Sequence, residues 1–160
     1  MVGLIVSGVL LGIGATALFD AWQWLVARVL GQPAPNLAPM GRWFWHLREG
    51  QVFHDDIGRA AAYRHERALG WIGHYVVGVI YGVAFALIMG PDWFAAPRFL
   101  PAWIFGLATL AFGWFLLQPG MGMGWAASRM PNPARVRTLN LAGHTVFGFG
   151  LWLTALLIPS

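Results

Sequence analysis

Four long runs of apolar residues dominate the chain, at about 2–25, 69–89, 100–117 and 139–158, and stretches rich in arginine, proline and glycine separate them. Each run is close to the ~20 residues that ~30 Å of hydrocarbon requires of a helix rising 1.5 Å per residue. The pattern predicts an all-α integral membrane protein, a four-transmembrane-helix bundle forming one domain over residues 1–160. Pro91, Pro97 and Pro101 bracket the second connection, and Pro119, Pro131 and Pro133 the third. In the first loop, about 31–66, Met40, Trp43, Phe44 and Leu47 recur at helical spacing while Arg42, His46, Arg48 and Glu49 take the other positions. That spacing predicts a short helix lying in the membrane interface. The first run has no Lys or Arg before it and continues past Asp20, so it is expected to stay as a helix and not to be cleaved as a signal peptide.

Composition sharpens this picture. With 58% hydrophobic and 10% charged residues, the chain has far less charge than the roughly 25% of a soluble domain, so its excess apolar surface has to face lipid. Tryptophans gather where apolar runs meet polar ones, at Trp22, Trp24, Trp43, Trp71, Trp93, Trp103 and Trp125, as in the aromatic belts at headgroup level. There is no cysteine, which excludes disulfides and thiolate metal sites. The positive charge is all arginine: Arg28, Arg42, Arg48, Arg59, Arg64, Arg67, Arg129, Arg135 and Arg137 fall on one side of the runs and only Arg98 on the other. This asymmetry makes loops 31–66 and 118–136 cytoplasmic and both termini periplasmic or extracellular. Arginines flanking membrane segments are orientation signals and headgroup contacts, so nucleic acid is not expected as a partner. The lipid bilayer is, and with it further copies of the chain or a larger membrane complex.

Sliding the chain along itself reveals a repeat. Residues 67–78 align without gaps on 137–148 through R-x-L-x-x-x-G-H-x-V-x-G, which includes His74 on His144. Setting Gly8 on Gly106 also places Asp20 on Gln118. The bundle is therefore expected to be two helical hairpins related by an axis along the membrane normal, a parallel repeat, with His74 and His144 at equal depth.

Candidate chemistry concentrates at polar residues in or near the membrane. Gly70, His74, Gly78 and Gly82 share one face of the second helix, and Asn140, His144 and Gly148 one face of the fourth. Small residues four apart let helices approach closely, so both histidines are expected inside the bundle. Three readings of them stay open. They hydrogen-bond to Asp20, Gln118 or Asn140 as structural glue, they form a proton or polar-ligand pathway with those residues, or they ligate one haem iron or other metal. Gln118-Pro119-Gly120-Met121-Gly122-Met123-Gly124 reads first as a tight turn, with anion cradling by its N–H groups and soft-metal binding by Met121 and Met123 as alternatives. His54-Asp55-Asp56, with Glu66, reads as a salt-bridged loop pairing with Arg59, Arg64 and Arg67, or else as a divalent-cation site. No nucleophile elbow, P-loop or H-E-x-x-H helix occurs, so an enzyme reading has no catalytic motif to stand on.

Several segments together carry a resemblance: Asp20 after Gly-Ala-Thr-Ala, Pro35-Asn36, Gly41-Arg42-Trp43, His54-Asp55, Glu66-Arg67-Ala68-Leu69-Gly70-Trp71 with His74-Tyr75, Gln118-Pro119-Gly120-Met121-Gly122, Ala127-Ser128-Arg129 and Pro131-Asn132-Pro133. Over nearly its whole length the chain resembles the uncharacterised bacterial membrane proteins grouped as domain of unknown function 2938. The resemblance implies a bacterial inner-membrane location and no activity. The candidates Asp20, His46, His54, Asp55, His74, Gln118, Met121, Arg129 and His144 all fall on the cytoplasmic half or in the loops. The function expected is therefore a polar His/Asp cavity, open to the cytoplasm, that binds a small polar or redox ligand with or without proton coupling. The alternatives are an accessory subunit of a larger membrane complex and a bis-histidine haem or metal protein.

Overall fold

The computed structural model describes residues 1–158. Six helices account for the architecture: α1 (Val2–Val29), α2 (Ala38–Leu47), α3 (Glu66–Met89), α4 (Pro91–Ala95), α5 (Phe99–Gly120) and α6 (Pro133–Leu157). There is no strand among the described residues. Four of these helices, α1, α3, α5 and α6, are long and apolar enough to cross a membrane. All four overrun the apolar segments that mark them in the sequence, because a helix continues past the hydrocarbon until a local signal stops it. Pro133 sits at the first position of α6, where its missing N–H costs nothing, and Glu66 opens α3, where a carboxylate suits the positive end of the helix dipole. The short α4 was not legible in the apolar pattern. Gly90 turns the chain at φ 70°, Pro91 starts the helix, and Trp93 is buried under it.

Two compact units divide the chain. The first comprises Met1–Ala34, Tyr75–Thr109 and residues 141–158. Its core is Leu11, Ala15, Phe85, Trp93, Ala102, Phe147, Leu151 and Ala155. Lipid tails are as apolar as leucine, so helices in a bilayer gain by close packing and not by hiding from water, and small residues mark the contacts. Accordingly α1 and α3 meet at Gly12 against Gly78 and at Gly8 against Gly82, and α5 meets α6 at Gly106 against Gly148. Ile80, Leu87, Ile88, Ile104 and Leu156 stay exposed on the outer faces. Irregular backbone in this unit is closed by indoles: Trp93 Nε1 donates to the Arg98 carbonyl at 3.3 Å and Trp152 Nε1 to that of Pro97 at 3.1 Å.

The second unit, Pro35–His74 with Leu110–Asn140, carries the polar loops. Helix α2 lies so close to the start of α3 that a Cβ on Gly41 would overlap the Glu66 carbonyl and one on Gly70 the Leu37 carbonyl. Trp43 is buried, edge-on to Phe112 at 6.5 Å, and its Nε1 donates to the Val52 carbonyl at 2.8 Å. The last part of α5 contains one wide turn, Gly113–Leu117, in which the Gln118 N–H bonds to the Gly113 carbonyl five residues back. Pro119 explains it: proline has no N–H to give, and its ring would strike the carbonyl four residues earlier, so the helix widens.

Candidate functional site

The segment between α2 and α3 has almost no regular structure, so its carbonyls need side-chain donors. Arg42 supplies most of them. Its Nε and Nη2 fork onto Glu66 at 2.7 and 2.9 Å, and its Nη1 reaches the carbonyls of Ile57, Gly58 and Ala60 at 2.9, 3.2 and 3.1 Å. Both partners are largely shielded, with side chains 15% and 17% exposed. Hydrogen bonding to the Glu66 carboxylate pushes the Arg42 guanidinium above its ordinary value, so the clamp is permanently charged. Glu66 thus pairs with Arg42, the arginine that orientation arguments had absorbed, while Asp56 does pair with Arg59, at 3.4 Å.

Beside this clamp lies a buried histidine pair. His46 Nδ1 and His54 Nε2 are 2.8 Å apart. His46 Nε2 meets the Ala61 carbonyl at 3.0 Å, and His54 Nδ1 meets that of Gly120 at 3.0 Å, where the His54 backbone N–H also donates at 2.9 Å. Ile57 N–H donates to the Met121 carbonyl, and a Cβ on Gly122, whose φ is +86°, would overlap the Asp55 carbonyl. The Gly-Met run therefore serves as a backbone seat for the His54–Ile57 part of the loop.

On the outer side of these contacts is a polar depression of about 910 Å³, walled by His54, Asp55, Asp56, Arg59, Trp125 and Arg129. Its volume lies within the roughly 300–1,000 Å³ of small-molecule sites, and it offers cations and carboxylates together. The turn that carries Trp125 is strained: Ala126 and Ala127 both have positive φ, 46° and 59°. Such residues cost about 1–3 kcal/mol each and cluster at ligand clamps and switches. Ala127 is fully buried, and Arg137 Nε holds the Ala126 carbonyl at 2.8 Å, which together maintain the turn.

The remaining sequence candidates form separate polar groups. In the second unit, Asn140 Oδ1 accepts from Gln118 Nε2 at 2.9 Å and from Trp114 Nε1 at 3.0 Å, and Gln118 Oε1 is buried with no partner. His74 is half-buried, with its ring edge-on to Trp71 at 6.2 Å. In the first unit, Thr109 Oγ1 donates to the Gly106 carbonyl at 2.6 Å, so it accepts from His144 Nδ1 at 2.8 Å, and Phe19 packs edge-on to the same imidazole. Asp20 accepts from the Tyr75 hydroxyl. Of the sequence candidates, then, Gln118 comes together with Asn140, and His54 and Asp55 with Gly120 and Gly122, with Arg129 on the same depression. Thr109 and Trp114 had no sequence signal beyond being a polar and an indole group, and Tyr75 and Arg42 stood in the resembling segments without any mark of the contacts they make. Among the described residues no three His, Asp or Glu side chains converge on a point that would hold a metal ion.

A family model described as "Protein of unknown function (DUF2938)" covers residues 9–158. No curated protein and no solved structure matches the chain.

Proposed function

The chain belongs to the DUF2938 family of proteins of unknown function, which brings no activity with it, and from its own residues we propose that it is a multi-pass membrane protein binding a small, charged, polar ligand in the loop depression. The observation that carries this reading is the depression itself, whose wall holds Arg59, paired with Asp56, together with Asp55 and Arg129 beside a backbone turn held in a strained conformation. A ligand with both an anionic and a cationic group fits that charge pattern better than a simple anion does. The arginine asymmetry supports placing this face in the cytoplasm and the chain in a bacterial inner membrane. His74, His144, Asp20, Gln118 and Asn140 take a second place in the proposal, as polar contacts inside the membrane. The bonds of His144 to Thr109 and of Asn140 to Gln118 and Trp114 support a role in holding helices, with any proton path through them subordinate to that.

The reading is tested by thermal unfolding of the purified full chain in detergent against amino acids, dicarboxylates and inorganic phosphate as probes. A ligand present at 100 times its Kd should stabilise the fold by about 2.7 kcal/mol. Arg129→Ala and Asp55→Asn, both at exposed positions, should leave the unliganded midpoint unchanged and abolish that gain. No stabilisation by any probe, together with a chain that stays folded only when copurified with another protein, would transfer the case to the accessory-subunit reading.

A further inference from the structure

The histidine pair sets a constraint that can be counted. Four imidazole nitrogens are engaged, in the order Ala61 carbonyl, His46 Nε2, His46 Nδ1, His54 Nε2, His54 Nδ1, Gly120 carbonyl, with separations of 3.0, 2.8 and 3.0 Å. A carbonyl oxygen only accepts, so His46 Nε2 and His54 Nδ1 must each carry a hydrogen. A neutral imidazole carries one hydrogen in all. With both rings neutral, His46 Nδ1 and His54 Nε2 would then face each other at 2.8 Å as two lone pairs, with no proton between them. The contact closes only when the pair holds three hydrogens on its four nitrogens, that is, one imidazole and one imidazolium sharing the middle proton.

We infer that His46 and His54 form a proton-binding site, which takes up one proton as a shared imidazole–imidazolium pair and needs it to complete the side-chain bonds that, beside the backbone bonds of His54 and Ile57, tie the loop to the Gly-Met run. Both rings are buried, at 5% and 8% exposure, so water cannot readily replace the missing bond. The charged groups around the pair are consistent with a net positive charge. Glu66, at the start of α3, acts electrostatically on His46, with Arg42 of α2 forked onto it. Asp55, Asp56 and Arg59 of the loop and Arg129 beyond the Gly-Met run share the depression with His54. Loss of the proton leaves two outcomes. Either His54 turns its hydrogen to His46 and gives up the Gly120 carbonyl, or His46 does the reverse and gives up that of Ala61. Ala60 and Pro119, the neighbours of those two carbonyls, are in the wall of the depression, so the protonation state sets how firmly that wall is held. This does not rest on a ligand occupying the depression.

The test is nitrogen-15 NMR of the uniformly labelled full chain in detergent, without added ligand, from about pH 5 to about pH 8, the range in which histidine ordinarily changes charge. At the acid end His46 and His54 together should show three imidazole N–H protons, one of them shared between the rings. At the alkaline end two should remain, with a shifted amide resonance for His54, or for Ala62, whose nitrogen shares a peptide group with the Ala61 carbonyl, marking the released contact. Thermal unfolding supplies a second reading. The bonds that need the proton are present at low pH and lost as pH rises, so the wild-type midpoint should fall over this range more than those of His46→Gln and His54→Asn. Each of those amides keeps one carbonyl bond and cannot ionise. Two neutral rings at the acid end, in a chain whose Trp43 indole signal shows the second unit folded, would overturn the inference. So would a pH dependence that both variants retain in full. Should the variants fail to fold, the wild-type proton count decides alone.

Discussion

Arg42→Ala should be among the most damaging substitutions outside the membrane helices, and the structure gives the scale. Two charge-assisted bonds to Glu66 and three to loop carbonyls are lost together. Bonds to charged groups contribute about 1.5–3 kcal/mol each in mutational series, but bonds made by one side chain do not add. Several factors reduce the sum. The side chains are 15% and 17% exposed, so water can reach part of the site, and Glu66 keeps the Tyr63 N–H at 3.2 Å and the helix N-terminus. A cost of about 2–4 kcal/mol follows, just below the roughly 3–5 of breaking a fully buried pair. Arg42→Lys keeps the charge and loses the fork, since an ammonium cannot reach a carboxylate and three carbonyls at once, and should cost about half as much. The assay is tryptophan-monitored unfolding in detergent, run as a cycle with Glu66→Gln, in which a coupling of about 1–3 kcal/mol is expected. Limited trypsin digestion gives an independent reading, because loosening the loop should open Arg59 and Arg64 to cleavage. A lysine variant as unstable as the alanine one, or a coupling near zero, would show that Arg42 acts through packing and not through its forked contacts.

Three further outcomes follow from the same contacts. Asn140→Leu should cost about 1–3 kcal/mol for each of the two donors it leaves unpaired, on Trp114 and Gln118, whereas Gln118→Leu, which also removes the unpartnered Oε1, should cost less than about 1, as thermal unfolding would show. Gly82→Leu forces a side chain into the backbone of Gly8 and Gly12 and should cost at least about 3 kcal/mol, while Ile80→Leu, on the 57% exposed face two residues away, should stay within about 0.5; equal effects would mean that α1 and α3 do not pack as described. An alkaline phosphatase reporter fused after residue 160 should be active and one inserted after Gln51 inactive, and the opposite pair of results would invert the proposed orientation.

The membrane helices were legible because lipid imposes one rule over 20 residues at a time, and the rule leaves a mark that composition alone reveals. Close contacts were legible too: Gly78, Gly82 and Gly148 stand four residues apart or in matched positions, and each meets backbone of a neighbouring helix. The polar loop was not. Arg42 stands in one of the segments that carry the family resemblance, but nothing in the sequence marks it as the clamp of the loop, whereas Arg48, six residues on, lies 56% exposed over the Trp45 ring. What separates them is the path of residues 57–61, which no periodicity encodes. The histidines show the same limit. His74 and His144 stand out in sequence through the repeat, while the shorter-range pairing of His46 with His54 depends on a loop that reverses between them and leaves no pattern.

The loop unit is organised around a single need, the carbonyls of a segment without strands. Those of Val52, Ile57, Gly58, Ala60 and Ala61 are taken by Trp43, Arg42 and His46, all from α2, and His54 ties the segment to the Gly120 carbonyl at the end of α5. Most of the polar residues that single out this region in sequence are therefore engaged inward. The proposed ligand has to be met by those that are not, and these form a short set: Asp55, Arg59, Trp125 and Arg129, exposed on the depression, with Asp56 engaged by its exposed pair with Arg59 and by the Gly58 N–H. Since the inward residues fix where the loop runs, and the loop fixes where Asp55 and Arg59 stand, substitutions at Arg42 or His54 should weaken ligand binding in step with stability. Substitutions at Arg129 or Asp55 should weaken binding alone. That separation is the physical signature of a rigid loop unit carrying a binding face, and an accessory subunit whose loops merely contact a partner gives no reason to expect it.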